Sequence, residues 1–155
     1  MLYQYLKILH ITAAVLLAAN VLVTGFWKIY ADKSNNGAII GFSQRLVKKT
    51  DWGLTMFFGI VAGVTGYVLA IVANYDLMSI SWLVWGQVTF WFALVVWLFA
   101  IVPLQKKMTR ISSKFEHGGE VGEDYRKLAF YWYIAGTAFA LALYINIYFM
   151  VVKPF

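Results

Sequence analysis

Hydrophobic residues are gathered into four long runs along the chain, and most polar residues lie between these runs. The runs extend over Ile8–Trp27, Trp52–Ala73, Trp82–Leu104 and Leu128–Val152, and none contains an aspartate, glutamate, lysine or arginine. Each can cross about 30 Å of hydrocarbon as a helix that rises about 1.5 Å per residue. A membrane barrel would instead need segments of about ten residues with alternating polarity. The pattern therefore predicts an all-α membrane protein with helices over about residues 5–29, 52–74, 81–104 and 127–152.

The composition agrees with this interpretation. Hydrophobic residues make up 62% of the 155 residues and charged residues 13%, against about half and about a quarter in soluble domains. We therefore expect one domain over residues 1–155, an integral four-helix bundle in the lipid bilayer. The first run lacks the small-residue cleavage site of a signal peptide, so we expect it to be retained. Cysteine is absent, which excludes disulfides and thiolate metal sites.

The positive charges predict the orientation. Of thirteen lysine and arginine residues, eleven lie in the two longer connections and only Lys7 and Lys153 lie on the other side. Under the positive-inside rule, the longer connections are cytoplasmic and both termini lie outside. The net charge of +6 thus reflects topology, and it gives no reason to expect a nucleic acid partner. The eleven residues are Lys28, Lys33, Arg45, Lys48, Lys49, Lys106, Lys107, Arg110, Lys114, Arg126 and Lys127.

Two connections and the second helix allow three further predictions. The short hairpin over Asn74–Ser81 predicts that the second and third helices are antiparallel neighbours. Apolar residues lie among the polar and charged ones over Ala38–Lys49, which predicts a short amphipathic cytoplasmic helix lying on the membrane surface. A stripe of small residues on the second helix predicts close approach to another helix, within the bundle or in a homodimer. Its members are Gly59, Ala62, Gly63, Gly66 and Ala70.

Neutral polar residues within the runs indicate a site. His10, Gln87 and Asn146 lie at similar depth near the outer ends of three helices, and a rotation of about 100° per residue places Trp91 with Gln87 and Trp132 with Asn146. If these stripes face inward, the five residues line one pocket that holds a cofactor. His10 alone among them binds metals or protons near neutral pH. The alternative is that His10 hydrogen-bonds to Asn146 or Gln87 and only fixes the packing.

The apolar runs lack the residues that several activities require, so these activities are disfavoured. Proton-coupled transport usually needs a charged group within the membrane, hydrolysis needs a nucleophile beside a base, and a zinc enzyme needs about three ligands. Haem binding needs fewer protein ligands, because one histidine on a helix can hold the haem among aromatic side chains. Five other polar residues are weaker candidates and equally suit helix packing: Asn20, Thr55, Thr65, Thr89 and Gln105.

Short motifs in a fixed order resemble a family over nearly the whole chain. They are Leu6-Lys7-Ile8-Leu9-His10, Thr24-Gly25-Phe26-Trp27, Ala31-Asp32-Lys33-Ser34, Asp51-Trp52-Gly53-Leu54-Thr55, Thr65-Gly66, Trp97 and Pro103-Leu104-Gln105-Lys106-Lys107-Met108. Together they resemble the predicted membrane proteins of domain of unknown function 2269. That resemblance implies a membrane location and no particular activity.

A more distant resemblance concerns the first histidine. The Lys7-x-x-His10 opening and the four-helix plan are similar to the copper-resistance D-type proteins and the haem-dependent protoporphyrinogen oxidases of bacteria. In the oxidases, the histidine of the first helix binds haem and a lysine four residues after a tryptophan in the third helix is its partner. Here Gly86 stands at that spacing from Trp82 and Gln87 follows it. The resemblance implies a one-histidine haem site and the cytoplasmic membrane of a bacterium.

These observations favour a membrane protein that binds haem b, or a similar flat hydrophobic redox cofactor, through His10 in the outer half of the bundle. Electron transfer or oxidation of a lipophilic substrate would follow, and no catalytic residue is predicted. Two alternatives remain open. One is copper handling, with His10 as a metal ligand beside Met78 or Met150. The other is a structural or accessory subunit of a membrane complex.

Overall fold

The computed structural model describes residues 1–117 and 119–154, and this part of the chain contains helices and no strands. Six α-helices and two π-helical turns follow one another. In chain order they are α1 (Leu2–Lys33), α2 (Gly37–Thr50), a first π turn (Asp51–Thr55), α3 (Met56–Val72), α4 (Ser81–Val96), a second π turn (Trp97–Ile101), α5 (Val102–Phe115) and α6 (Glu123–Val152).

The π turns join pairs of helices into longer ones. The backbone N–H of Met56 bonds to the carbonyl of Asp51, and that of Val102 bonds to Trp97, so each turn inserts one extra residue without breaking the helix. Residues Gly37–Val72 and Ser81–Phe115 therefore form continuous helices of 36 and 35 residues beside α1 and α6, with 32 and 30. All four are long and apolar enough to cross a membrane, which confirms the predicted integral membrane fold.

The helices are longer than the apolar runs that predict them. At about 1.5 Å per residue they measure about 45–54 Å, against about 30 Å of hydrocarbon. The excess is concentrated at the end of the bundle where α1 ends, α2 and α5 lie and α6 begins. We call this the basic end, because the eleven clustered lysines and arginines belong to it. The opposite end, with both chain termini and the Asn74–Ser81 hairpin, is called the terminal end.

The predicted amphipathic helix after α1 forms, but the predicted position on the membrane surface is wrong. The Asn36 side chain accepts from the backbone N–H groups of Ala38 and Ile39 and so begins α2. From there α2 packs on α1 and α5 and runs directly into α3. Its apolar face, with Ile40 and Val47 both 1% exposed, is covered by these helices and not by lipid head groups.

Packing differs between the two ends of the bundle. At the basic end, α1 packs on α2, α2 on α5, α5 on α6, and α6 on α1, so four helices close a ring. An exposed ion pair between Arg45 on α2 and Glu116 after α5 adds to this closure. The hydrogen bond from Arg45 lowers the pKa of the Glu116 carboxyl below its ordinary value.

At the terminal end the ring is split into two helix pairs. Helix α1 packs on α3 and α4 packs on α6, whereas α3 and α4 stand apart and side chains bridge the gap. As the short hairpin predicts, the two helices are antiparallel neighbours, but they contact each other through side chains: Phe90 packs against Gly63, and Trp91 bonds to Tyr67. Their backbones stay apart.

The inward-facing residues of α4 differ from the predicted stripe. The inward face of α4 contains Leu83, Gly86 and Ala93 and continues through Trp97 to Ile101 and Gln105. A stripe extrapolated at 100° per residue from Gln87 predicted Trp91 as inward, but Trp91 is 50% exposed. Gln87 and Trp91 both precede the second π turn, so the turn does not account for this error. The buried residues of α4 itself, Leu83, Gly86 and Ala93, lie on a face about 100° away from Gln87. On α6, Trp132 of the predicted stripe is buried, and so are Phe139 and Leu143.

The small-residue stripe on α3 allows a testable prediction about packing. A Cβ atom at Gly66 would lie 3.0 Å from His10 Cε1, whereas one at Gly59 would have no neighbour within 4 Å. Gly66→Leu should therefore separate α1 from α3 and reduce the free energy of unfolding by about 1–3 kcal/mol. Gly59→Leu, on the same helix, is the matched control and should leave it unchanged. Thermal unfolding in detergent measures both, and equal midpoints for the two variants would contradict the assigned packing.

Candidate functional site: an apolar groove and its polar floor

An apolar groove lies between α3 and α4 where the two helix pairs split. It encloses about 440 Å³ and reaches inward to Leu17 of α1 and to Phe139 and Leu143 of α6. Most of its wall is aliphatic or aromatic. The lining residues are Leu17, Thr55, Met56, Gly59, Ile60, Gly63, Val64, Tyr67, Phe90, Trp91, Ala93, Leu94, Trp97, Phe139 and Leu143.

Glycines on α3 keep the groove open. Nothing lies within 4 Å of the position that a Cβ of Gly59 would occupy, and the ring of Phe90 lies against Gly63, 2.9 Å from its Cβ position. Larger side chains at these two positions would fill the space or push Phe90 outward. The small-residue stripe thus serves two surfaces, because Ala62 and Gly66 contact His10 of α1 while Gly59 and Gly63 line the groove.

Each end of the groove has hydrogen-bonding groups. Toward the terminal end, the indole N–H of Trp91 donates to the Tyr67 hydroxyl at 3.0 Å, so the Tyr67 proton is free to point at another acceptor. Toward the basic end lie the Thr55 hydroxyl and Trp97. Trp97 is 4% exposed, and its indole N–H has no hydrogen-bond partner within the described residues. A buried donor without an acceptor costs about 1–3 kcal/mol.

Behind Thr55 lies a buried chain of polar side chains, which we call the polar floor: Asn20, Asp51, Thr55 and Gln105. Asn20 donates to the Thr55 hydroxyl at 2.9 Å, and Thr55 donates to one carboxylate oxygen of Asp51 at 3.2 Å. Gln105 donates to the other oxygen. Asp51, Thr55 and Gln105 are 6%, 4% and 2% exposed. The first π turn places Asp51 and Thr55 on the inner face, and Thr55 belongs to both the polar floor and the groove.

A second buried network, the lysine cluster, lies nearer the basic end and comprises Lys28, Asp32, Gln44, Tyr125 and Tyr133. Lys28, 1% exposed, pairs with Asp32 one turn away on α1. The Tyr125 hydroxyl accepts from Lys28 and from Gln44, both at 2.9 Å, and donates to Asp32 at 2.7 Å. Tyr133 also donates to Asp32, at 2.6 Å. The cluster therefore ties α1, α2 and α6 together.

The two networks differ in charge. In the lysine cluster the ammonium and the carboxylate neutralise each other, and the rings of Tyr125, Trp132 and Tyr133 lie 5.0, 5.7 and 5.2 Å from the Lys28 nitrogen. In the polar floor, Asp51 has only neutral partners, because the ion pairs among the described residues are Lys28–Asp32 and Arg45–Glu116. The lysine cluster is thus a completed structural unit, whereas the polar floor keeps an uncompensated acidic group.

His10 lies between α1 and α3, on the opposite side of α3 from the groove lining. Its Nδ1 contacts the Ala62 carbonyl at 2.9 Å and the Thr65 hydroxyl at 3.1 Å. Because a carbonyl only accepts, Nδ1 carries the proton, and Nε2 of the neutral ring is the free nitrogen. The expected alternative partners, Asn146 and Gln87, are not among its hydrogen bonds.

Gln87 and Asn146 bind elsewhere. Gln87 donates to the carbonyls of Leu77 and Leu83 and so ties the hairpin to α4. Asn146 donates to the Gly86 carbonyl at 2.6 Å and to the Thr89 hydroxyl at 3.1 Å, across the α4–α6 contact. Met150 also packs against Gly86. Gln87 therefore uses its donors on the hairpin and on α4 itself, and Asn146 uses its donors on the α4–α6 contact.

The two tryptophans predicted for the same pocket are separated as well. Trp91 lines the groove, while Trp132 lies beside Lys28, which is eighteen residues, or about 27 Å, along α1 from His10. The structure thus does not gather His10, Gln87, Asn146, Trp91 and Trp132 into one pocket. Within the described residues, no three histidine, aspartate or glutamate side chains form a group that could hold a metal ion.

Asp51 and Lys28 were missed as site residues because each borders an apolar run. Asp51 immediately precedes Trp52 and Lys28 immediately follows Trp27, so both were counted with the aqueous connections. A signal was present in the spacing, since Lys28 and Asp32 are four residues apart, as are Asp51 and Thr55. Side chains at that spacing share one helix face. Their burial follows from the length of the helices, which carry the bundle past the apolar runs.

Comparison with known families places the chain. Residues 4–154 match the family described as predicted integral membrane protein (DUF2269). The chain belongs to this family. No curated protein and no solved structure matched it. Membership in DUF2269 agrees with the four helices that are long and apolar enough to cross a membrane.

Proposed function

We propose that the protein binds a lipophilic molecule from the bilayer in the groove between α3 and α4. The observation that carries the proposal is the split of the bundle, which leaves about 440 Å³ of apolar space open along two membrane-crossing helices. From Thr55 to Tyr67 the groove follows twelve residues of α3, or about 18 Å. That shape suits one hydrocarbon chain rather than a compact polar solute.

The polar groups of the groove restrict the chemical class of the ligand further. The Tyr67 hydroxyl accepts from Trp91 and keeps its own proton for another acceptor. A chain that carries a carbonyl or another acceptor would accept this hydrogen bond, and the surrounding apolar wall would strengthen it. The favoured ligand is therefore an acyl or isoprenoid lipid with a hydrogen-bond acceptor, and the protein acts as a membrane-embedded binding or carrier protein.

The groove proposal predicts site-specific labelling by a photoactivatable palmitic acid analogue. In purified protein, crosslinks should concentrate on groove residues of α3 and α4 such as Ile60 and Leu94. Gly59→Leu should reduce them about tenfold, because the new side chain fills the groove at a cost near 1.4 kcal/mol in binding. Gly25→Leu is the matched control: Gly25 also has nothing within 4 Å of its Cβ position, but it lies on α1 outside the groove. Labelling spread evenly over exposed residues and unchanged by Gly59→Leu would contradict the proposal.

A second proposal, haem b binding through His10, is supported by one observation. Histidines that bind metals usually donate the other ring N–H to a carbonyl or carboxylate, which orients the ring. His10 has this arrangement, with Nδ1 held by Ala62 and Nε2 free. A copper role would use the same nitrogen.

The haem proposal predicts a visible absorption spectrum. Protein purified gently in detergent should show a Soret band, with α and β bands on reduction, and His10→Ala should abolish them while the helices stay inserted. His117→Ala, in the turn after α5, is the control and should retain the spectrum. A colourless wild type after haem supplementation would contradict a haem site and leave His10 as a packing residue.

A further inference from the structure

A second cavity lies at the basic end, between α5 and the beginning of α6, and we call it the charged cleft. It encloses about 580 Å³. Its inner wall is apolar and aromatic, and includes Ile111 and Leu128. The buried rings of Phe115 and Tyr125 also line it and meet edge to face, with centroids 5.4 Å apart. The charged cleft is separate from the groove, which lies between α3 and α4.

Positive and negative side chains line different walls of the charged cleft. Lys107, Arg110 and Lys114 come from α5, where residues three and seven positions apart share one helix face. Glu120 and Asp124 come from the segment before α6 and from its first turn. All five side chains are exposed, and no ion pair among the described residues joins the two walls. A molecule that carries both charges would find a partner on each wall.

The charged cleft lies at the depth of the lipid head groups. The third apolar run ends at Leu104 and the fourth begins at Leu128. Lys107 and Asp124 lie three and four residues beyond these ends, or about 5–6 Å along their helices. The head-group layer of a bilayer is about 5–8 Å thick on each side. A phospholipid head group in the cleft can therefore keep its acyl chains within the hydrocarbon.

From this geometry we infer that the charged cleft binds a phospholipid whose head group carries a phosphate and a primary ammonium, as in phosphatidylethanolamine. The phosphate accepts hydrogen bonds from the α5 wall, where the planar guanidinium of Arg110 can donate two in parallel. The ammonium donates to Glu120 or Asp124 across the cleft. Phosphatidylglycerol would leave both carboxylates without a partner, and the quaternary ammonium of phosphatidylcholine has no N–H to donate. The inference does not depend on the occupant of the groove.

Native mass spectrometry of the full-length protein, stripped of lipid in detergent, measures this preference. Phosphatidylethanolamine should bind at one saturable site about tenfold more tightly than phosphatidylcholine or phosphatidylglycerol with the same acyl chains, because it alone forms charged hydrogen bonds with both walls. Soluble glycerophosphoethanolamine should not compete at the same concentration, because it lacks the acyl chains that hold the lipid at this depth.

Variants of exposed residues test each wall separately. Arg110→Gln should weaken the binding of all three lipids, because each of them carries a phosphate. The double change Glu120→Gln and Asp124→Asn should remove the preference for phosphatidylethanolamine and leave phosphatidylcholine binding unchanged. Glu123→Gln is the matched control, since Glu123 is exposed in the same turn of α6 but does not line the cleft. It should keep the preference, and so should Gly59→Leu, which separates this site from the groove.

Four results would overturn the inference. Equal affinities for phosphatidylethanolamine and phosphatidylcholine would show that the ammonium is not recognised. Tighter binding of phosphatidylglycerol would show that the cleft selects net negative charge. A preference that survives the double change would place the bound lipid elsewhere on the protein. Effective competition by glycerophosphoethanolamine would show that the cleft takes a soluble ligand and not a lipid.

Discussion

The lysine cluster is the interaction on which the architecture depends. A buried ammonium and a partly buried carboxylate lie one turn apart on α1, and hydroxyl groups from α6 and an amide from α2 complete their hydrogen bonds. Removing one partner of such a pair leaves an uncompensated buried charge and typically costs about 3–5 kcal/mol. The three helices are therefore held in one arrangement where the bundle passes beyond its apolar runs.

Closure of the bundle at the basic end allows the groove to stay open. With α1, α2, α5 and α6 packed into a ring, α3 and α4 need not pack on each other to keep the fold together. Helix α3 packs on α1, and α4 packs on α6. The two π turns lie where the ring of four helices divides into these two pairs. π-helical turns are rare and occur often at functional sites. Here they place Thr55 and Trp97 in the groove wall toward the basic end, with Asp51 behind Thr55.

Much of the fold could be predicted from the hydrophobic pattern, because four uncharged runs of this length have few alternatives in a bilayer. The pairing of the helices could not, since it depends on how Phe90 and Trp91 fill the gap beside Gly63. The π turns could not be predicted either, because one inserted residue does not change the composition of the sequence. The inward face of α4 was misassigned at Trp91 because the stripe was drawn through Gln87, about 100° from the buried face at Gly86. Lys28 and Asp51 were excluded by a boundary drawn at the last apolar residue, although the helices continue past it. The N-out, C-out orientation stays a prediction.

The central claim is that charged and polar contacts within the lysine cluster hold the closed end of the bundle together. A double-mutant cycle of Lys28→Met and Asp32→Asn, followed by unfolding in detergent, measures this directly. Each single variant should be clearly destabilised, and the double variant should lose less than the sum of the two by at least about 1 kcal/mol, because the second change removes the charge that the first left unpaired. Additive effects within about 0.5 kcal/mol would show that the two residues do not act as a pair and would contradict the claim.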